Sequence, residues 1–148
     1  MDTAVSLVQS YLHVNGYFTV TEYPVMEAAG DGHARTVTDL DVLAFRFAGA
    51  GHDLIQGRRR RGVGERATDP ALQCPTDRPD MIVGEVKAGA ARFNHAMRDP
   101  RVLGVALARF GCCAPEHVHD VAAALLARGS VTTEGGHAIR LVAFGDVG

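Results

Sequence analysis

The spacing of apolar residues changes period three times along this chain, and that order constrains the fold more than any other feature. From Ala4 to Leu12 the residues Ala4, Leu7, Val8, Tyr11 and Leu12 follow the helical rule, with Asp2 or Thr3 as N-cap and Asn15-Gly16 as a left-handed stop. Tyr17 to Tyr23 then alternates β-branched and aromatic residues, which puts Phe18, Val20 and Glu22 on one inward face, and Pro24 ends the run. A turn over 28–35, carrying Gly30, Asp31 and Gly32, leads to a second predicted strand from about Val37 to Phe47, and a third covers Met81 to Lys87.

The helical period returns after Asp99-Pro100, an N-cap and N1 pair, and runs through Val102, Leu103, Ala106, Leu107 and Phe110 to Gly111. A further helix is read from Pro115 to the stop at Gly129. Val131–Thr133 and Ala138–Phe144, separated by Gly135-Gly136, make either a closing hairpin or one strand with a long approach. The order helix, strand, strand, strand, helix, strand predicts an α/β fold with a mixed sheet and helices packed on it. At 148 residues, 47% of them hydrophobic, the chain suits one domain over 1–148.

Residues 48–79 interrupt this pattern. Gly49, Gly51, Gly57, Gly62, Gly64, Pro70, Pro75 and Pro79 surround the run Arg58-Arg59-Arg60-Arg61, and only Leu54-Ile55 looks packable. The segment reads as a Gly/Arg/Pro-rich insertion, a long loop with at most one short helical turn. Fifteen basic against seventeen acidic residues leave a formal charge of -2, so affinity for a polyanion has to come from a local patch, and the four arginines are its candidate. The apolar residues are too interrupted for a membrane span, and the N-terminus lacks a basic-then-apolar signal pattern, so a cytoplasmic protein with no membrane partner is expected. Its three cysteines, Cys74, Cys112 and Cys113, are expected to be reduced thiols.

Two segments place charge where a strand wants apolar side chains. In Thr38-Asp39-Leu40-Asp41-Val42-Leu43-Ala44, Asp39 and Asp41 share a face; in Asp80-Met81-Ile82-Val83-Gly84-Glu85-Val86-Lys87, Glu85 and Lys87 do. If the two strands pair, an Asp, a Glu and a Lys converge. Paired carboxylates are hard oxygen donors of the kind that hold Mg²⁺ with several waters left on it, and a neighbouring lysine can orient or deprotonate a water. Lys87 is the only lysine against fourteen arginines. In a chain so biased to arginine, a purely structural cation would more naturally be Arg, whereas a compact ammonium that can lose its proton is what catalysis needs. The competing reading of Asp41, Glu85 and Lys87 is a structural ion pair at a sheet end.

Asp41, followed by Glu85-Val86-Lys87 at the end of an apolar strand in this element order, resembles the PD-(D/E)xK nuclease superfamily, which includes restriction enzymes and archaeal Holliday junction resolvases. The resemblance implies a restriction endonuclease-like fold and a Mg²⁺-dependent nuclease, with Mn²⁺ as an alternative ion. It makes Asp41, Glu85 and Lys87 catalytic, and Asp41 and Glu85 the metal ligands. Glu22 and Asp39 are accessory candidates, and Arg58, Arg59, Arg60 and Arg61 the nucleic-acid contacts. DNA is the expected partner, and a homodimer follows by analogy with relatives that cut both strands. The alternative is a catalytically inactive nucleic-acid-binding or protein-interaction module on the same fold.

Overall fold

The computed structural model describes residues 2–55, 62–65 and 67–146. Its elements are α1 (Thr3–Val14), β1 (Phe18–Ala28), β2 (Ala34–Arg46), β3 (His52–Ile55), β4 (Gly62–Glu65), β5 (Asp80–Lys87), α2 (Pro100–Phe110), α3 (Val118–Arg128), β6 (Ser130–Thr132) and β7 (Ala138–Gly145). Five strands form a mixed sheet in the order β1-β2-β5-β7-β6, and β3 and β4 form a separate two-stranded sheet. β1–β2, β2–β5 and β6–β7 pair antiparallel, whereas β5 and β7 run parallel. A parallel pair needs a crossover, and α2 and α3 supply it.

The helices begin and end where local chemistry dictates. Asp2 and Asp99 accept backbone N–H bonds from Ala4 and Arg101 as N-caps, Pro100 fills the first turn of α2, and Gly111 and Gly129 close α2 and α3 at φ 64° and 74°. On one side of the sheet Leu12 and Tyr17 pack with Val42, Ala44 and Ile82, and Val8 and Tyr11 of α1 lie against them. On the other, Val102, Leu103, Ala106 and Leu107 of α2 and Ala122 and Leu125 of α3 pack with Leu43, Met81, Val83 and Ile139. The fold is therefore α/β with three layers and a sheet buried on both faces. No helix of the described residues is long and apolar enough to cross a membrane.

Three expectations change. β1 runs past Pro24, because it is an edge strand and needs no N–H there. The face carrying Phe18, Val20 and Glu22 is not inward: Phe18 and Val20 are 68% and 45% exposed, and Glu22 is also exposed. The 48–79 insertion is more organised than a loop, with the β3–β4 hairpin, a single 3₁₀ turn over Pro70–Leu72 and a buried Leu72.

The later part of that insertion is fastened by polar contacts. Tyr11 donates its hydroxyl to Asp69 Oδ2 at 2.8 Å, Asp69 N–H donates to Asn15 Oδ1 at 2.7 Å, and the buried Arg46 guanidinium donates to the carbonyls of Asn15, Ala50 and Pro75. Arg140 forks onto the fully buried Asp80 and donates to the Leu72 carbonyl at 2.7 Å, while the Tyr17 hydroxyl donates to Asp80 Oδ2. Burial and the bond to Asp69 push the Tyr11 hydroxyl up from 10.0 to about 12. Burial and Asp80 push Tyr17 up as well. The folded state thus holds these phenolic protons more tightly than the unfolded chain. The stabilisation is complete below pH 10 and is lost as pH rises, for Tyr11 by about pH 12. Urea unfolding at pH 8 to 12 should show stability falling above pH 10, and Tyr11→Phe should be less stable at pH 8 with a shallower decline.

Candidate active site

Asp41 on β2 and Glu85 on β5 come together where the ladder between their strands stops. Pairing runs from Arg46–Asp80 to Val42–Gly84, so Asp41 and Glu85 occupy the next rung. There the side chain of Asp41 replaces a backbone partner: its Oδ2 accepts the Val86 N–H at 2.7 Å. The bond satisfies a strand donor that a longer ladder would have used, and it holds the carboxylate beside the strand that carries Glu85. Gly84 lies at the last paired rung, where a Cβ would stand 2.4 Å from Val42 Cγ1 and 3.2 Å from the Phe144 ring. The tight seam immediately before the site therefore requires glycine.

A reversal of strand faces explains why Asp41 is available. On β2, Leu40 belongs to the core under α2 and α3, while Val42 and Ala44 belong to the core under α1. Period-two alternation would put Leu40 and Val42 on one side. β1 makes the same change, since Thr19, which accepts from Gln9 of α1, and Tyr17 just before the strand face the α1 side, and Tyr23 and Val25 face the other. Both reversals fall on one rung: Glu22 and Asp41 sit opposite each other between the pairs Thr21–Val42 and Tyr23–Leu40. Glu22 takes up the twist with φ at +52°, the left-handed region. Glu22, Asp41 and Glu85 thus lie along one line across three adjacent strands.

Glu85 is 3% exposed. Its Oε1 takes Lys87 Nζ at 2.9 Å and Asn94 Nδ2 at 2.7 Å. Among the described residues, Glu85 Oε2 and Asp41 Oδ1 have no hydrogen-bond partner. The Lys87 side chain is 30% exposed; an open groove of about 700 Å³ with Leu7, Tyr11, Val86 and Phe144 in its walls reaches the same strand end from the α1 side and includes neither Asp41 nor Glu85. The arrangement offers two carboxylates, each anchored through one oxygen, and an ammonium with donors to spare.

The other candidates separate from this group. Asp39 is exposed, pairs with Pro24 through the backbone, and has no contact with the site among the described residues. Glu22 shares the rung with an exposed side chain. Arg58, Arg59, Arg60 and Arg61 lie outside the described residues. Among the described residues no group of three or more His, Cys, Asp or Glu side chains is set to hold a metal ion.

Two partners are not identified by sequence reasoning. Asn94 binds Glu85, and only the loop path that returns residues 88–95 to the sheet reveals this. Asp80 reads as a strand-end residue and is instead the centre of the buried Tyr17–Arg140 network, for which its place beside an apolar strand was the sole signal. Comparisons with protein-family models, curated proteins and solved structures find no match for this chain.

The left-handed backbone at Glu22 generates a direct test. A left-handed conformation costs a residue with a Cβ about 1–2 kcal/mol, most of which glycine escapes while paying more entropy on folding. Glu22→Gly should leave stability within about 0.5 kcal/mol of the parent, whereas the β-branched Glu22→Val should lose about 1–3 kcal/mol, both read by urea unfolding. Equal losses would remove the strain argument.

Proposed function

We propose that this protein is a Mg²⁺-dependent nuclease of the PD-(D/E)xK type, hydrolysing nucleic-acid phosphodiesters, DNA before RNA, with Mn²⁺ able to replace Mg²⁺. The observation that carries the reading is the rung that Asp41 and Glu85 share at one end of the β2–β5 pair, with Lys87 in contact with Glu85 and one oxygen of each carboxylate held by protein donors. The sheet order, with β1, β2 and β5 antiparallel and β7 returning parallel to β5 after the helices, supports a restriction endonuclease-like arrangement. A homodimer acting in the cytoplasm belongs to the same proposal.

The donor set fits the ion. Mg²⁺ is commonly held by one or two carboxylates and keeps several waters, which is what Asp41 Oδ1 and Glu85 Oε2 can provide. When bound, such an ion supplies Lewis-acid polarisation and charge neutralisation at the phosphoryl group. Val86 N–H and Asn94 Nδ2 fix the two carboxylates, so the ligands need little reorganisation. Lys87 is tied to Glu85 by one contact and is partly exposed, leaving N–H donors to orient a water against the phosphorus and to hold a phosphate oxygen. The Arg58–Arg61 run supplies the phosphate contacts that a formal charge of -2 withholds elsewhere.

The Lys87–Glu85 pair at 2.9 Å also favours a second reading, a binding module in which the pair is purely structural. One conservative change separates the two. Under the nuclease reading, Lys87→Arg keeps the carboxylates and hence Mn²⁺ binding, yet loses about 10²–10⁴-fold in cleavage, since guanidinium stays protonated and cannot take the place of a compact ammonium. Under the structural reading, arginine substitutes with little loss. Mg²⁺-dependent cleavage of single-stranded, duplex and branched DNA and of RNA, with thermal unfolding as control, measures the difference. Wild-type protein that cleaves nothing in this panel would favour the binding module.

A further inference from the structure

We infer that Asn94 is a positioning residue for Glu85, holding the carboxylate in place when Lys87 moves to the reacting water or phosphate; the inference rests on the nuclease reading above. Asn94 Nδ2 donates to Glu85 Oε1 at 2.7 Å, the same oxygen that Lys87 Nζ contacts at 2.9 Å. The orientation of the amide is fixed independently. Asn94 Oδ1 accepts the Met97 N–H at 3.0 Å, so the nitrogen must face Glu85; a flipped amide would set oxygen against oxygen there and leave the Met97 N–H against a nitrogen.

Met97 anchors this device. Its side chain is 1% exposed within the core under α2, and its 3₁₀ turn, Ala96–Arg98, leads directly into the α2 N-cap, Asp99. The position of Glu85 Oε1 is thereby referred to the rigid layer of the molecule and not to the exposed lysine. The two partners of Oε1 also differ in kind: Asn94 donates a hydrogen bond and Lys87 makes an ion-pair contact. Lys87 brings a positive charge that competes with a cation for the carboxylate, whereas the neutral amide orients the group and leaves its charge intact. With Oε1 held by the amide, Glu85 keeps a fixed anchor on the rung it shares with Asp41.

Capping the turn requires only the Asn94 oxygen, and Asp, Ser or Thr would supply it. The donor is the part that capping does not use. Asn94→Asp separates the roles: it keeps the acceptor for Met97 N–H and replaces the donor to Glu85 with a second carboxylate, which shares a proton with Glu85 and competes with the metal. Mn²⁺ titration calorimetry on the full chain across pH 5.5–8, with thermal unfolding, reads both roles. Positioning predicts a melting temperature close to the parent, Mn²⁺ affinity lowered by about 10–100-fold, and half-saturation displaced to higher pH. An Asn94→Asp affinity within about three-fold of the parent, or tighter, with an unmoved pH profile overturns the positioning role. If Asn94→Asp does not fold, Asn94→Ser, which still caps Met97 but falls short of Glu85, is expected to show the same loss of affinity and is judged by the same threshold. Parent protein that binds no Mn²⁺ overturns the metal reading itself and the role of Asn94 with it, a result distinct from a variant that binds as the parent does.

Discussion

The bond from Val86 N–H to the Asp41 carboxylate is where this sheet stops being a regular lattice. Up to Val42–Gly84 the two strands exchange backbone hydrogen bonds, and one rung later a side chain takes the donor. A buried strand donor left unpaired would cost roughly 1–3 kcal/mol, and at the half-buried Val86, where the strands part, Asp41 supplies the acceptor. The parting in turn brings Glu85 and Asp41 side by side. A single charge-assisted bond thus both ends the pairing and locates the candidate site.

β5 carries a buried acid at each end, and the two are finished in opposite ways. Asp80 at its start has both oxygens occupied, Oδ1 by Arg140 Nε and Oδ2 by Arg140 Nη2 and the Tyr17 hydroxyl. Glu85 near its end has both described partners, the Asn94 hydrogen bond and the Lys87 ion pair, on Oε1 alone. A saturated carboxylate inside a protein rigidifies its surroundings, and here it ties β5 to β7 and to the Leu72 carbonyl. An incompletely saturated one is stable only if the remaining oxygen meets water or a ligand. The difference in saturation, more than burial, separates a structural acid from a candidate catalytic one in this molecule.

What the sequence made legible follows the range of the interactions involved. Helix caps at Asp2 and Asp99 and stops at Gly111 and Gly129 are local, and they match the structure closely. The mixed sheet follows from element order, because strands separated by helices call for a parallel pair. Alternation along β1 tells which residues share a face but not which face is covered: at this edge strand α1 covers the side of Tyr17, and Phe18 and Val20 on the other side stay exposed. The left-handed backbone at Glu22 reverses sides for the residues beyond it, and nothing in Thr21-Glu22-Tyr23 announces that. The 48–79 segment reads as loop from sequence because β3 and β4 are four residues each and β4 contains Gly62 and Gly64. Leu72 is buried by packing against distant residues, including Tyr17 and Ile82, which no local pattern contains. Asn94 lies nine residues beyond Glu85 in the chain, and its role depends on a loop path that periodicity does not encode.

The two cations on β5's acids complete the physical argument. Arg140 engages Asp80 as a fork, with Nε at 3.0 Å and Nη2 at 2.6 Å, and its side chain is 18% exposed. Such a planar, two-point contact spends the whole carboxylate on one partner. Lys87 makes a one-point contact with Glu85 from a side chain 30% exposed, on a flexible stem that can leave without disturbing the strand. If Lys87 alone held Glu85, its departure would leave a buried charge with no partner; Asn94 reduces that penalty because Oε1 stays hydrogen-bonded. The only lysine of an arginine-rich chain therefore occupies the one ion pair described on β5 in which the cation is free to move and the acid remains hydrogen-bonded when it does.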